Sequence, residues 1–523
     1  MSDWLKMMKD LTIRPKGDRT IREAPTYPFD GDMNNPLSGI KVKELLSVSS
    51  DVVFRDFFIQ GKERIPCQLV AVDGMVDKNQ LDMFVLKPLM VDLVGHPDMG
   101  QLTLANVVDR SLQSLLPGLE FKKINKIGQA IEAIFSGDAV ILFGDSTEAL
   151  VFGARGWDKR AVTEPTTEAV VKGPHEGFGE TLRINTSLLR RKIKHPALRI
   201  ISLKLGTLTS TDVVVTYMDK IASSDLVSEV FRRLGKINID SLLGNGYVEE
   251  MIEDDPYSPF PQIAYTERPD VLAGKLLEGK VGIIVDGTPI VLCVPATITN
   301  FLSVNEDYYE RPLSVILFRF VRYVGAFIAL LAPSIYIAVT TFHQEIIPTE
   351  LLMSIIAGRQ GVPFPALLEA LVMLIILEIL QEAGLRLPKP IGQTIGIVGA
   401  LIIGDAAVKA GLVSPLMVIV VGLTAVASYA VPYYDFSTAI RIVRFPFMFL
   451  AGFLGFFGLS VGLYLLAIHL LTLRSFGVPY LSPIAPLRIR ALLQDTFVRA
   501  PRWAMRKRPQ FIDVDKPGPG DKR

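Results

Sequence analysis

The chain has 523 residues, a formal net charge of +1 and an apolar share of 49%. That length exceeds one ordinary domain, and the near-zero charge excludes the broad basic field that nucleic-acid binding needs. Two cysteines and five histidines, with no CxxC or Cys/His cluster, supply neither a disulfide framework nor a zinc site.

The N-terminal stretch mixes charges throughout and has no continuous apolar segment, so it does not read as a secretory signal. Residues 1–38 end in the turn-rich DGDMNNPLSG and are expected to form a flexible arm. From Ile40 the pattern alternates between helix and strand. DVVFRDFFIQ, IPCQLVAVDG and AVILFGDSTEALVFG are β-rich runs, and hairpins are expected at Gly144-Asp145 and at Asp286-Gly287. SSDLVSEVFRRLGKI and RPDVLAGKLLEGK carry helical periodicity. Cys67 and Cys293 lie within strand-like runs and read as buried thiols in a reducing compartment. The expectation is an α+β cytosolic region of two subdomains, 39–130 and 131–310.

The apolar excess lies between Tyr323 and Leu473. LSVILFRFVR, punctuated by Arg319 and Arg322, is expected along the membrane surface, leading into the first span. About 20 apolar residues are needed to cross, and candidate spans follow at 323–342, 366–384, 391–412, 413–432 and 445–473. The region 311–473 thus reads as an all-α multi-pass bundle of four to five spans, followed by a basic segment and tail, 474–523. Positive residues in short loops place the soluble region inside. Five crossings would leave the basic tail outside, against the same rule, and 391–412 is the segment expected not to cross fully.

Catalytic motifs are absent: there is no GxxxxGK[ST], GxSxG or HExxH, and the histidines are scattered. The chain does not read as an enzyme, and no catalytic residue, metal or cofactor is assigned. Charge inside a bilayer is expensive and commonly marks function. Glu369 and Glu378 fall on opposite faces of one helix, Glu378 and Glu382 on one face. Asp405 and Lys409 form an i, i+4 pair in the favourable order. With Gly396 and Gly399, these are the ion-path candidates, although residues near a membrane interface also reach water without any such role. Gly452, Gly455, Gly458 and Gly462 strip one helix face of side chains and suit helix packing or self-assembly.

The soluble region carries dense polar motifs beyond the needs of a core. Glu164, Pro165 and Glu168 belong to EPTTE. Gly173, Pro174 and Glu176 belong to KGPHEGFGE, and Arg190 and Arg191 to LLRRKI. Pro259, Phe260 and Pro261 lie in SPFPQ. Thr266, Glu267, Arg268, Pro269 and Asp270 form TERPD, and Asp286 and Gly287 open VDGTPIVLCVP.

Through these motifs, with SSDVVFRDFF, VDGMVDK, EDYYERP and RSFGVPYLSPIAPL, most of the chain resembles the A subunit of the GerA-type spore germinant receptors. Lys172 and His175 stand where that family more often has arginines. The resemblance implies a multi-pass protein of the spore inner membrane that works with a transporter-like B subunit, thought to bind the nutrient, and a lipoprotein C subunit. It further implies a homo-oligomer, acting as a ligand-gated monovalent cation channel whose opening triggers germination. Two alternatives are a non-conducting scaffold that couples nutrient binding to a separate channel, and the paralogue associated with dipicolinate release.

Overall fold

The computed structural model describes residues 33–93, 102–116, 120–156, 164–165, 167–168, 170–386 and 403–501. The expected arm up to residue 32, the tail from 502, and Gly396 and Gly399 lie outside the described residues. Met1–Glu253 and Ile263–Ala296 fall in one compact unit, and Asp254–Gln262 with Thr297–Ala500 in another.

The first unit is built on two five-stranded antiparallel sheets. One runs in the order β1 (Val52–Gln60), β2 (Arg64–Val72), β4 (Ala139–Phe143), β5 (Ala149–Phe152), β3 (Phe121–Ile124). The other runs β6 (Leu198–Leu205), β7 (Thr211–Met218), β9 (Val281–Val285), β10 (Val291–Val294), β8 (Ala264–Thr266). The strand order is the same in both, so the unit repeats one topology without an evident sequence repeat. Gly144 (φ 46°) and Gly287 (φ 85°) turn the hairpins β4–β5 and β9–β10, as their dipeptides led one to expect; positive φ is readily adopted by glycine.

The first sheet is covered on both faces. On β4, Ile141 and Phe143 face the cluster of Leu81, Val85, Leu89 and Val107, while Val140 and Leu142 face α1 (Gly39–Leu46) and α2 (Ile127–Phe135). Ile127, Ile131, Ile134 and Phe135 on α2 are almost wholly buried, each stabilising the layer by roughly 1.5–3 kcal/mol. The strand pairing carries the first sheet on to Phe152, past the boundary expected at 130. A strand buried on both faces reads as a continuous apolar run with no alternation to mark its partners, so the sequence held no cue to that pairing. On the second sheet, α3 (Leu182–Lys192) packs with α6 (Pro269–Leu277), and α4 (Ser224–Leu234) with α5 (Asn245–Ile252).

The second unit is helical: α7 (Pro312–Thr341), α8 (Thr349–Arg359), α9 (Ala366–Arg386), α10 (Pro415–Tyr429), α11 (Tyr434–Thr472) and the short α12 (Ile489–Asp495). Proline stands at the start of α6, α7 and α10, where its missing N–H costs nothing and its fixed φ suits a helix. LSVILFRFVR is the first part of α7 and leads without a break into the first span, as expected. Helix α7 and α11 are long and apolar enough to cross a membrane. Gly325 lets α7 approach α10, since a Cβ there would sit 3.0 Å from that of Ala430.

Helix α11 is not one rod. At Gly455 the backbone leaves the helical region (φ 60°, ψ −140°). In an uninterrupted helix Phe436 and His469 would lie about 50 Å apart, yet the Phe260 ring is 6.0 Å from one and 6.1 Å from the other. A Cβ on Gly458 would collide with the Leu450 carbonyl, and one on Gly462 would lie 3.1 Å from Leu450 and Phe447 side chains. The expected single span 445–473 is therefore part of a helical hairpin, with legs of about 30 and 26 Å at 1.5 Å per residue, a length comparable to the bilayer core.

Candidate functional site

In the soluble unit the polar motifs meet in space. The Glu168 carboxylate accepts from the Thr266 hydroxyl (2.6 Å) and the Glu267 N–H (3.1 Å). Thr167 N–H in turn donates to the Glu267 carboxylate (3.2 Å), and Phe178 N–H to the Glu267 carbonyl (2.7 Å). EPTTE is thus stitched to TERPD across about a hundred residues of chain. Arg268, 1% exposed, is closed by Asp270 at 3.1 and 2.8 Å. Pro269 begins α6 directly behind it.

The same region is electrostatically dense. Burial pushes the Glu168 carboxyl up, against the opposing pull of Thr266 and Lys275. Burial, with Lys275 adding to it, pushes the Lys280 ammonium down to about 8. Cys293 is raised, again by burial, and on the first sheet the Cys67 thiol is pushed up to about 12 for the same reason; both are inert as nucleophiles in this form. Among the described residues no three His, Cys, Asp or Glu side chains are grouped to hold a metal.

The remaining soluble motifs brace helix α3. Asp286 accepts the N–H of Leu182, its first residue, at 2.9 Å, satisfying one of the donors a helix start leaves open. Gly287 N–H donates to the Glu180 carbonyl (2.8 Å). Burial alone would raise the Glu176 carboxyl, but Lys192 (2.8 Å) and Arg191 (3.0 Å) hold it below its ordinary value. Glu164 lies 3.6 Å from His175, with both side chains largely in solvent; Gly173 has φ 142° and Pro174 follows it. Arg190 leaves α3 to meet Asp51 at 2.7 and 3.0 Å, wholly buried and stacked 4.5 Å over Phe135. That ion pair joins the two sheet subdomains.

In the membrane unit the acidic candidates sit apart from one another. Glu369, 1% exposed, takes Arg359 of α8 on one oxygen (3.0 Å) and both the N–H (3.0 Å) and hydroxyl (2.9 Å) of Ser414 on the other. It clasps α8, α9 and the start of α10. Glu378 pairs with Arg441 on α11. Glu382 is exposed, and Asp405 and Lys409 form an exposed pair at 2.6 Å. The glycines are placed within the chain's own packing: Gly452 accommodates Leu367 of α9, Gly455 makes the turn against Phe342 and His343, and Gly458 and Gly462 line the seam between the hairpin legs.

Sequence reasoning passed over three arrangements. Arg319, 1% exposed, is shared by Asp307 (3.0 Å), Asp495 (3.1 Å) and the Thr496 carbonyl (3.2 Å), while Arg322 grips Asp307 at 2.9 and 3.0 Å. Arg444, equally buried, donates to the Ala329 carbonyl and the Ser428 hydroxyl. SPFPQ packs against RSFGVPYLSP: Ser475 donates to the Gln262 carbonyl (2.6 Å), and Phe476 N–H to Asp254 (2.6 Å). Arginine inside an apolar run was the available signal for the first two. The sequence alone takes these arginines as marks of orientation and, for Arg319 and Arg322, of a surface segment.

A two-sheet α+β unit followed by long apolar helices, with buried ion pairs bracing both, defines a membrane protein carrying a large polar domain. Residues 40–511 match the family described as Bacillus/Clostridium GerA spore germination protein. The chain is 44% identical, over 94% of its length and 93% of the relative's, to the uncharacterized membrane protein YfkQ of Bacillus subtilis (strain 168). With spore germination protein KA of the same organism it shares 42% identity, over 91% of this chain and 86% of the relative. The crystal structure of the N-terminal domain of the A subunit of the Bacillus megaterium spore germinant receptor GerK3 aligns with 50% of this chain and 93% of that one, at 32% identity and a TM-score of 0.38. The chain belongs to the GerA family of spore germination proteins.

Proposed function

We propose that this chain is the A subunit of a nutrient germinant receptor in the spore inner membrane, assembling with B and C subunits and with further copies of itself into a ligand-gated monovalent cation channel. The likeness to spore germination protein KA over 91% of this chain and 86% of that one supports the receptor reading. The polar stretch around Asp405 and Lys409, with Gly396 and Gly399 before it, is the proposed pore lining. The hairpin supports this orientation: its return leg brings the segment from Leu473 to Ala500 back beside the start of α7, where Asp495 meets Arg319. In the proposed topology the basic tail and the soluble region share the cytosolic side, in line with the positive-inside rule; most of 391–412, the segment expected not to cross fully, lies outside the described residues.

A scaffold that couples nutrient binding to a separate channel is the second reading. The pairing of Glu369 with Arg359 and of Glu378 with Arg441 favours it, because neutralised carboxylates attract a passing cation weakly. Potassium efflux from growing cells that co-express the chain with its B and C partners distinguishes the two. Nutrient-triggered efflux, with selectivity altered by Asp405→Asn or Gly399→Leu, is the expected result. Efflux whose selectivity is untouched by every pore variant would leave the scaffold.

A further inference from the structure

Nine residues in the middle of the soluble sequence do not belong to the soluble unit. Helix α5 ends at Ile252 and strand β8 begins at Ala264, both in the first unit, while Asp254–Gln262 between them are part of the membrane unit. This finger is stiff for three local reasons. Prolines at 256, 259 and 261 limit its backbone. The Gln262 side chain closes it across its base, accepting the Asp255 N–H (2.9 Å) and donating to the Asp255 carbonyl (2.6 Å). Asp255 and Ser258 further cap the N–H groups of Tyr257 and Phe260.

The finger holds both feet of the terminal hairpin. Phe260, 5% exposed, lies against Phe436 at the start of the first leg and His469 at the end of the second. Ser258 hydrogen-bonds to His469 Nε2 at 2.9 Å. The two bonds from Ser475 and Phe476 secure its base. One rigid segment, covalently continuous at either end with elements of the soluble unit, therefore touches both feet of a helix pair whose tip, at Gly455, sits against Phe342 and His343 beyond the end of α7.

The geometry points to the finger Asp254–Gln262 as the transmission element of this protein: a change in the soluble unit reaches the membrane helices by moving this segment, and with it the two hairpin feet. The inference rests on the receptor reading above and adds the path of coupling to it. A stiff lever transmits displacement only while its attachments are taut, so slack at the attachments is the direct test. Two glycines inserted after Glu253 and two after Gln262 leave every finger contact possible but lengthen both tethers. In spores carrying the full receptor, with the amount of chain in the membrane confirmed by immunoblot, the slack variant should respond to nutrient about tenfold more slowly than wild type, the scale of a typical coupling between sites. An unchanged response would overturn the proposal. The wild-type spores separate this from the receptor reading, which fails if they too are silent when this is their only receptor. Where the insertions lower the amount of chain, one glycine inserted after Glu253 alone and one after Gln262 alone put the same question: slack in either tether should slow the response, and an unchanged response in both variants at the wild-type amount of chain would overturn the proposal.

Discussion

The Nε of Arg444 donates a 2.7 Å hydrogen bond to the carbonyl of Ala329, the carbonyl that Pro333, four residues on within α7, cannot serve because proline has no N–H. A buried carbonyl without a partner is costly where no water reaches it. The arginine of one membrane helix therefore repairs the defect that a proline makes in another, and the Ser428 hydroxyl takes a second of its donors at 3.0 Å. Replacing Arg444 by methionine should destabilise the detergent-solubilised chain by about 1–3 kcal/mol, the cost of stranding a buried acceptor. Pro333→Ala restores the helical N–H, so the same arginine replacement should cost less in that background. Equal falls in the melting midpoint in both backgrounds would sever the link between the two residues.

The Asp51–Arg190 pair makes a second expectation. Arg190 has no exposed side-chain surface and Asp51 only 6%, so removing the carboxylate leaves a guanidinium charge stranded between the sheets. Asp51→Ala should cost about 3–5 kcal/mol, whereas exchanging both partners for apolar residues of similar volume should cost far less. Urea unfolding of the chain followed by far-ultraviolet circular dichroism reads the difference. A double variant as unstable as the single one would show that the pair contributes its own attraction rather than avoiding a penalty.

Lys280 ties stability to pH in the less usual direction. Its ammonium ordinarily titrates at 10.5 and burial brings it down to about 8. Between those values the unfolded chain keeps a proton that the folded chain has released, so stability rises with pH across that window and is flat below it with respect to this group. Lys280→Met removes the dependence. Compared with the variant, the wild type should gain stability steadily from pH 8 to 10, and the variant should be the more stable of the two at pH 7. A stability difference constant over that range would refute the account.

Two glycines of the membrane unit make a matched pair. A Cβ on Gly422 would meet nothing within 4 Å, while one on Gly458 would run into the backbone of Leu450. Gly422→Ala should be neutral or stabilising by up to about 1 kcal/mol, the helix-propensity gain. Gly458→Ala should cost about 1–3 kcal/mol or more, as overpacking does, and should lower the amount of folded chain in the membrane. Equal tolerance of both would mean that the hairpin legs do not meet there.

Much of the architecture was legible before any coordinates. The two hairpin dipeptides, the helices of SSDLVSEV and RPDVLAG, and the split between a soluble region and apolar helices all follow from local chemistry: turn residues, proline at helix starts, and period in apolarity. The motifs TERPD and EPTTE also announced themselves as more than core. Their bond to each other did not, because Glu168 and Thr266 are brought together by the second sheet and nothing near either residue names the other.

What the sequence determined by itself was therefore composition by segment: which stretches prefer water, which prefer lipid, and where the backbone is able to turn. Pairing was decided only in three dimensions. Strands β4 and β5, apolar on both faces, found their places beside β2 and β3 through cores on either side of the sheet. A 39-residue apolar helix became a hairpin because Gly455 tolerates a backbone that other residues resist, and because Gly458 and Gly462 leave room for the returning leg. Nothing in the sequence named partners for Arg319, Arg444 or Glu369; the fold supplied each with partners distant in the chain, since burial makes an unpaired charge too costly to keep.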